Sequence, residues 1–342
     1  MQRSSSIRYA PALMLAGTLF AACSGASQLP SATPMQPSVT QPGANAQPND
    51  HGPGLQAPNR ANPVPRDRNR SWMAPDAGNG NLIYISDANT SNVWVLSYPR
   101  GTLKGQLTFL DTPEGECVDR SGDVFIVSFG SSEILEFAHG GTNPIAVLND
   151  AGYFPNGCAV DPTTGTLAVT NYETSGSLAG NVAIYTNASG SPRYHSVGAM
   201  FPFFCAYDAT GDLYVDGKNY ASGFGFLELP TRSISFKNIA LNQSIGEPGG
   251  VQWDGQHVVV GDSSSNVIYQ FSIDGSNGTE IGSTTLGGAS DVANFLIQKR
   301  KVIGTDLGTD VGVWRYPAGG SAIGGFNLFE NPVGLAISDV TT

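Results

Sequence analysis

The chain has 342 residues, of which 40% are hydrophobic and 13% charged, with 43 Gly and 22 Pro. That composition suits a turn-rich β protein and is poor for a helical one. The formal net charge is −11, and because residues 1–80 hold six Arg against three Asp, residues 81–342 carry −14. A surface of that sign repels phosphate backbones and excludes nucleic acid as an expected partner.

Residues 1–22 read as an export signal: Arg3 and Arg8 flank a polar start, and Tyr9–Ala22 is mostly apolar but too short to span a bilayer as a mature helix. The stretch "LFAAC" is similar to a bacterial lipobox. That resemblance implies cleavage before Cys23 and diacylglyceryl attachment to its thiol. Ser24 in the next position then points to an outer-membrane lipoprotein facing the periplasm or the cell surface; ordinary secretion, with Cys23 incidental, is the alternative. Residues 23–80 have no apolar period and are crowded with Pro, Gln, Asn, Ser and Ala. They bury too little apolar surface to offset the entropy of ordering and are expected to form a tether.

Residues 81–342 repeat themselves. A phrase of Pro, Gly, apolar residues and Asp recurs as "PEGECVD" from Pro113, "PNGCAVD" from Pro155, "PFFCAYD" from Pro202, "PGGVQWD" from Pro248 and "PVGLAIS" from Pro332, with a degenerate copy, "VANFLIQ", from Val292. The starts lie 42, 47, 46, 44 and 40 residues apart, a period of propeller blades or helical arrays. The runs after each phrase ("GDVFIVSF" then "SEILEFA", "GQHVVVGD" then "NVIYQFS") are short, β-branched and bounded by Gly, Asn, Asp and Ser, so they predict strands. Four such strands per unit make a six-bladed β-propeller of antiparallel blades. The first unit, from "NLIYISD", has no inner strand before it, and the final "NPVGLAISDV" is an inner strand with nothing after it. Joining the two closes the ring and removes a free edge.

"LIYISDANTSNVWVLSYPRG" and "VVVGDSSSNVIYQFSIDG" resemble NHL-type repeats, in which an Asp ends the second strand and an Asn opens the third, here Asp87 with Asn92 and Asp262 with Asn266. Both residue types accept backbone N–H bonds at turns, so a structural role is expected for them.

The residues after each Pro should ring one mouth of the central channel: Glu114, Asn156, Phe203, Gly249, Ala293 and Val333. "PEGE" and "PNG" are similar to phrases of gluconolactonase-like six-bladed lactonases. That resemblance implies a channel calcium held in part by Glu114 and Asn156, and ester hydrolysis. The chain departs from that pattern at Gly249, where the family's further carboxylate would stand, and Phe203 and Val333 add apolar surface.

No GxSxG, HExxH or phosphate-cradling Gly loop is present, and the four His residues, 51, 139, 195 and 257, stand at no metal-ligand spacing. Cys158 and Cys205 hold the same place in consecutive blades, while Cys117 lies one position later and should face the other way. A Cys158–Cys205 bridge requires the Cα atoms to approach within about 7 Å; otherwise the three are buried thiols. Tyr153 and Phe154 before Pro155, with Phe201, Phe203 and Phe204, offer an apolar patch for a ligand or partner. The sequence therefore reads as a monomeric, envelope-located propeller that binds a protein or small molecule at the channel mouth through Glu114, Asn156, Phe203, Tyr153 and Phe154, without a cofactor. The alternative is a calcium-dependent lactonase or ester hydrolase.

Overall fold

The computed structural model describes residues 70–174, 179–219, 223–307 and 310–340. The expected leader, Cys23 and the tether as far as residue 69 lie outside the described residues. The described residues are all-β apart from two single-turn 3₁₀ segments, Ala77–Asn79 and Thr186–Ala188.

Six sheets form the blades of a propeller, antiparallel apart from two-residue parallel pairings of Asn277–Gly287 with Ala240–Leu241 and Gly320–Ser321. The inner strands, in blade order, are Pro332–Ser338, Pro113–Val118, Tyr153–Val160, Met200–Tyr207, Pro248–Trp253 and Val292–Gln298. Blade 1 takes its inner strand from the C-terminal part of the chain: Leu82 lies opposite Ser338 and Ile85 opposite Leu335. The inner strands then adjoin one another in sequence around the ring, back to Pro332–Ser338. Blade 1 also gains a fifth, outermost strand, Trp72–Met73, paired with Gly105 and Gln106. The folded part therefore begins before residue 81, because Trp72 and Met73 have an open edge to pair with and Ser71 Oγ accepts the Thr108 N–H at 3.0 Å.

Burial decides which runs become which strand. The second strands are sandwiched on both faces, so Leu82–Asp87 (LIYISD) is buried at every position, as a strand with neighbours on both sides requires. Third strands alternate, as in Asn92–Ser97, and the outermost strand of blade 2, Pro144–Asn149, is mostly exposed. Six apolar clusters fill the six gaps between blades. Between blades 6 and 1, for example, Ile303, Val311, Val313 and Phe326 pack on Ile83, Ile85 and Leu96. Each such fully buried side chain contributes about 1.5–3 kcal/mol relative to exposure, so blade stacking holds the ring together.

The Asp residues that end second strands are structural, as their turn chemistry suggests. Asp87 accepts the N–H groups of Thr90, Glu330 and Asn331. Asp262 accepts those of Glu247 and Ser264, and Asp306 those of Ser290 and Asp291. Each carboxylate fastens the loop entering its own blade to the end of the second strand.

Cys117 and Cys158 form a disulfide with Cα atoms 5.7 Å apart, and Cys205 is a buried free thiol. Cys158 thus pairs with Cys117 and not with Cys205, the bridge the sequence left possible, and the reason lies in blade geometry. Facing surfaces of neighbouring blades are opposite faces of their sheets, so residues of equivalent position point the same way round the ring and do not meet. Cys158 points back into the cluster with Phe125 and Val127 of blade 2, where Cys117 points forward. Cys205 points back at Ala159 and Ala168 of blade 3.

Candidate functional site

At one end of the channel every inner strand begins with a bulge. Pro113 lies opposite Ser128 and Glu116 opposite Ile126, so three steps on the inner strand match two on its partner. The same one-residue excess occurs after Pro155, Pro202, Pro248, Val292 and Pro332. A bulge re-aims the extra residue, and Glu114, Asn156, Phe203, Gly249, Ala293 and Val333 occupy these bulges at one end of the inner strands. The glycine that follows has a packing cause. A Cβ on Gly115 would lie 2.7 Å from the Asn156 carbonyl oxygen, and one on Gly157 would lie 2.6 Å from that of Phe203. Neighbouring inner strands approach backbone to backbone here, which only glycine permits.

Within this ring Glu114 is the sole carboxylate, and burial holds its carboxyl up at about 7. The Asn156 amide is engaged sideways, Nδ2 donating to the Phe203 carbonyl at 2.9 Å. The Thr170 hydroxyl donates to the same carbonyl at 2.7 Å. Calcium takes six to eight oxygens. One desolvated carboxyl and one amide, flanked by Phe203, Gly249, Ala293 and Val333, do not fit the calcium set that the lactonase resemblance implies.

Aromatic side chains make up the rest of the mouth on blades 2 to 4. Phe129 follows Ser128, the partner of Pro113, and meets Phe154 of the next blade with ring centroids 5.3 Å apart. Tyr153 stacks on Tyr194 at 4.3 Å, and the Tyr194 hydroxyl donates to Asp150 Oδ1 at 2.7 Å. Tyr172 contacts Phe201 at 5.0 Å and Phe203 at 5.2 Å. On the loop entering blade 2, Phe109 is 79% exposed. The Ser131 hydroxyl donates to that of Ser128, which donates to the Asp111 carbonyl, as turn residues do.

Towards the other end the channel narrows at a waist of about 20 Å³ and widens into a chamber of about 460 Å³ between the six inner strands. Glu116 adjoins both. It is 7% exposed; Oε1 accepts the Ser86 hydroxyl at 2.7 Å, and Oε2 has no partner. Burial raises this carboxyl to about 8. Sequence reasoning gave Glu116 no role of its own, although the signal was present. Its equivalents in register are Cys158, Cys205, Val251, Phe295 and Leu335, so it is the one acid in an apolar column. Also unforeseen is a cluster at the far end of blade 2, where ligand atoms of Asp119, Asp123 and Glu136 lie within 4.8 Å of one another.

No protein-family model matches the sequence, and no curated protein matches it. Among solved structures, a chain from the crystal structure of a nidogen/laminin complex is similar, with a TM-score of 0.64 and 16% identity, covering 77% of this chain and 100% of that one. A protein of unknown function from Bacteroides caccae is similar with a TM-score of 0.57 and 9% identity, covering 76% and 99%. These likenesses establish the β-propeller and nothing finer.

Proposed function

We propose that this chain is a binding protein and that its partner, another protein of the cell envelope, docks on the channel mouth of blades 2 to 4. The observation that carries this reading is the aromatic surface there: Phe129 meets Phe154 between blades 2 and 3, Tyr172 meets Phe201 and Phe203 between blades 3 and 4, and Phe109 is exposed on the loop entering blade 2. Aromatic groups clustered on a rigid scaffold are the usual anchors of protein recognition. The nidogen/laminin complex, whose structure contains a similar propeller, adds support by analogy of fold. The envelope location rests on the first 23 residues: an apolar export segment followed by a lipobox-like cysteine, with the lipid on Cys23 holding the propeller to a membrane by way of the tether.

The test is capture from solubilised envelope by the immobilised wild-type chain and by Phe129→Ser and Phe154→Ser variants of unchanged melting temperature. The reading expects a stoichiometric protein that the wild type retains and both variants lose. Equal retention by all three would refute the mouth as the docking surface. A low-molecular-weight species lost in the same way would move the reading to a small ligand.

A further inference from the structure

On the face opposite that mouth, a second cavity of about 720 Å³ opens between blades 6 and 1. Its walls include two matching turns, Tyr98-Pro99 and Tyr316-Pro317, each following a third strand. Four cations line it, Lys299, Arg300, Lys301 and Arg315, against one carboxylate, Asp339. Residues 81–342 contain eleven Lys and Arg in all and are otherwise strongly acidic. The clustering therefore runs against the charge of the rest of the surface.

Two further observations point to a ligand. First, these cations are unpaired. Lys104, Lys218 and Lys237 each meet a carboxylate. Among the described residues, none of the four at this cavity forms an ion pair or a side-chain hydrogen bond. Like charges held together without partners repel, and an anion relieves that repulsion. Second, the repeat breaks at this place. The inner strands of blades 2 to 5 end in Asp119, Asp161, Asp208 and Asp254, and blade 1 has Ser338 at that place. In blades 2 to 5 that carboxylate accepts N–H groups of its own turn. Blade 6 ends instead in Gln298, paired with Lys301 across the two-residue turn Lys299-Arg300. Lys299 sits at φ +58°, a left-handed position that Gly, Asn and Asp occupy readily and a long side chain does not. The turn gives up favourable local chemistry and gains two positive charges beside the cavity.

We propose that this cavity binds a small organic anion, a phosphate, sulfate or carboxylate carried on an apolar or planar body, with Lys301 and Arg315 holding the anionic group. Guanidinium and ammonium donors suit such oxygens, and the Tyr98, Pro99, Tyr316 and Pro317 surfaces suit the body. This site is independent of the docking surface proposed above.

The test uses the full chain and two fluorescent probes of one shape: anilinonaphthalene sulfonate, which is anionic, and uncharged phenylnaphthylamine. The wild type should bind the sulfonate more tightly, with affinity falling as salt rises from about 50 to about 500 mM, and inorganic phosphate should compete. Lys301→Ala/Arg315→Ala should weaken the sulfonate by about tenfold or more and leave phenylnaphthylamine binding and the melting temperature unchanged. Equal affinity of the wild type for the two probes, or salt-independent sulfonate binding, would overturn the proposal without recourse to any variant. Undiminished sulfonate binding by a folded variant would overturn it too.

Discussion

The Cys117–Cys158 disulfide ties the inner strands of blades 2 and 3, closing a loop with a sequence separation of 41. On the chain-entropy account, closing a loop of that length removes from the unfolded ensemble the equivalent of roughly 4 kcal/mol. For a chain of this size each kcal/mol moves the melting midpoint by about 2–4 °C, so reduction should lower it by roughly 8–16 °C. The assay is thermal melting of the wild type with and without reductant, beside Cys117→Ala/Cys158→Ala and Cys205→Ala. The reductant should shift the wild type and Cys205→Ala alike and leave the double variant unmoved. Comparing the reduced wild type with the double variant then isolates the packing lost with the two sulfur atoms. Peptide mapping that linked Cys158 to Cys205 would refute the facing-blade argument. A mapped Cys117–Cys158 link whose reduction moved the midpoint by less than about 2 °C would refute the entropic magnitude.

Three further outcomes are expected. Removal of residues 332–342 deletes the inner strand of blade 1, uncovers Ile83 and Ile85, and exposes the edge of Leu82–Asp87. The loss is comparable to the whole stability of a domain, about 5–15 kcal/mol, so the truncated chain should lose cooperative melting and aggregate in sedimentation. Glu116, held up at about 8 in the folded state against roughly 4.3 unfolded, takes up a proton on folding between those values. Stability is therefore highest below the unfolded value, falls as pH rises toward 8 and levels above it. Urea midpoints at pH 5 and pH 8.5 should differ by less in Glu116→Gln than in the wild type; Asp216, raised by burial to about 8, and Glu114, raised to about 7, leave a residual slope. Calcium after chelation should raise the melting temperature of neither the wild type nor Glu114→Ala. A rise confined to the wild type would restore the metal reading, since a ligand of the native state must stabilise it.

The blade count and the closure by "NPVGLAISDV" were legible because each rests on a local rule repeated six times: β-branched second strands, bounding turn residues, and a phrase that recurs every 40–47 residues. The equivalence of Glu114 and Asn156 was legible for the same reason, since Pro113 and Pro155 open equivalent bulges. The Cys117–Cys158 pairing was not legible because a period reports equivalence within blades, whereas these two meet across a gap where two unlike faces oppose each other. The partners of Asn156 were not legible either. Its bond to the Phe203 carbonyl depends on how closely adjacent inner strands approach, a distance that no single blade encodes. Trp72–Met73 escaped notice because a two-residue edge strand has no periodicity to read.

A repeat also states, at each position, what the fold needs there, and each departure from it needs a separate cause. The residue two after each initial Pro is Gly in blades 1, 2, 3 and 5, where inner strands touch; blade 4 has Phe204, whose ring lies 6.2 Å from that of Phe203 at the aromatic mouth. The buried column that holds Cys158, Val251 and Leu335 admits one acid, Glu116, at the channel waist. The turn that ends the inner strands of blades 2 to 5 with Asp is replaced in blade 6 by Lys299-Arg300, beside a cavity lined with unpaired cations. None of the three departures improves the blade that carries it. A buried carboxyl with a free oxygen and a lysine in a left-handed turn each cost stability. Selection for folding alone would remove such costs, so the places where this propeller breaks its own pattern are where its binding chemistry should be sought.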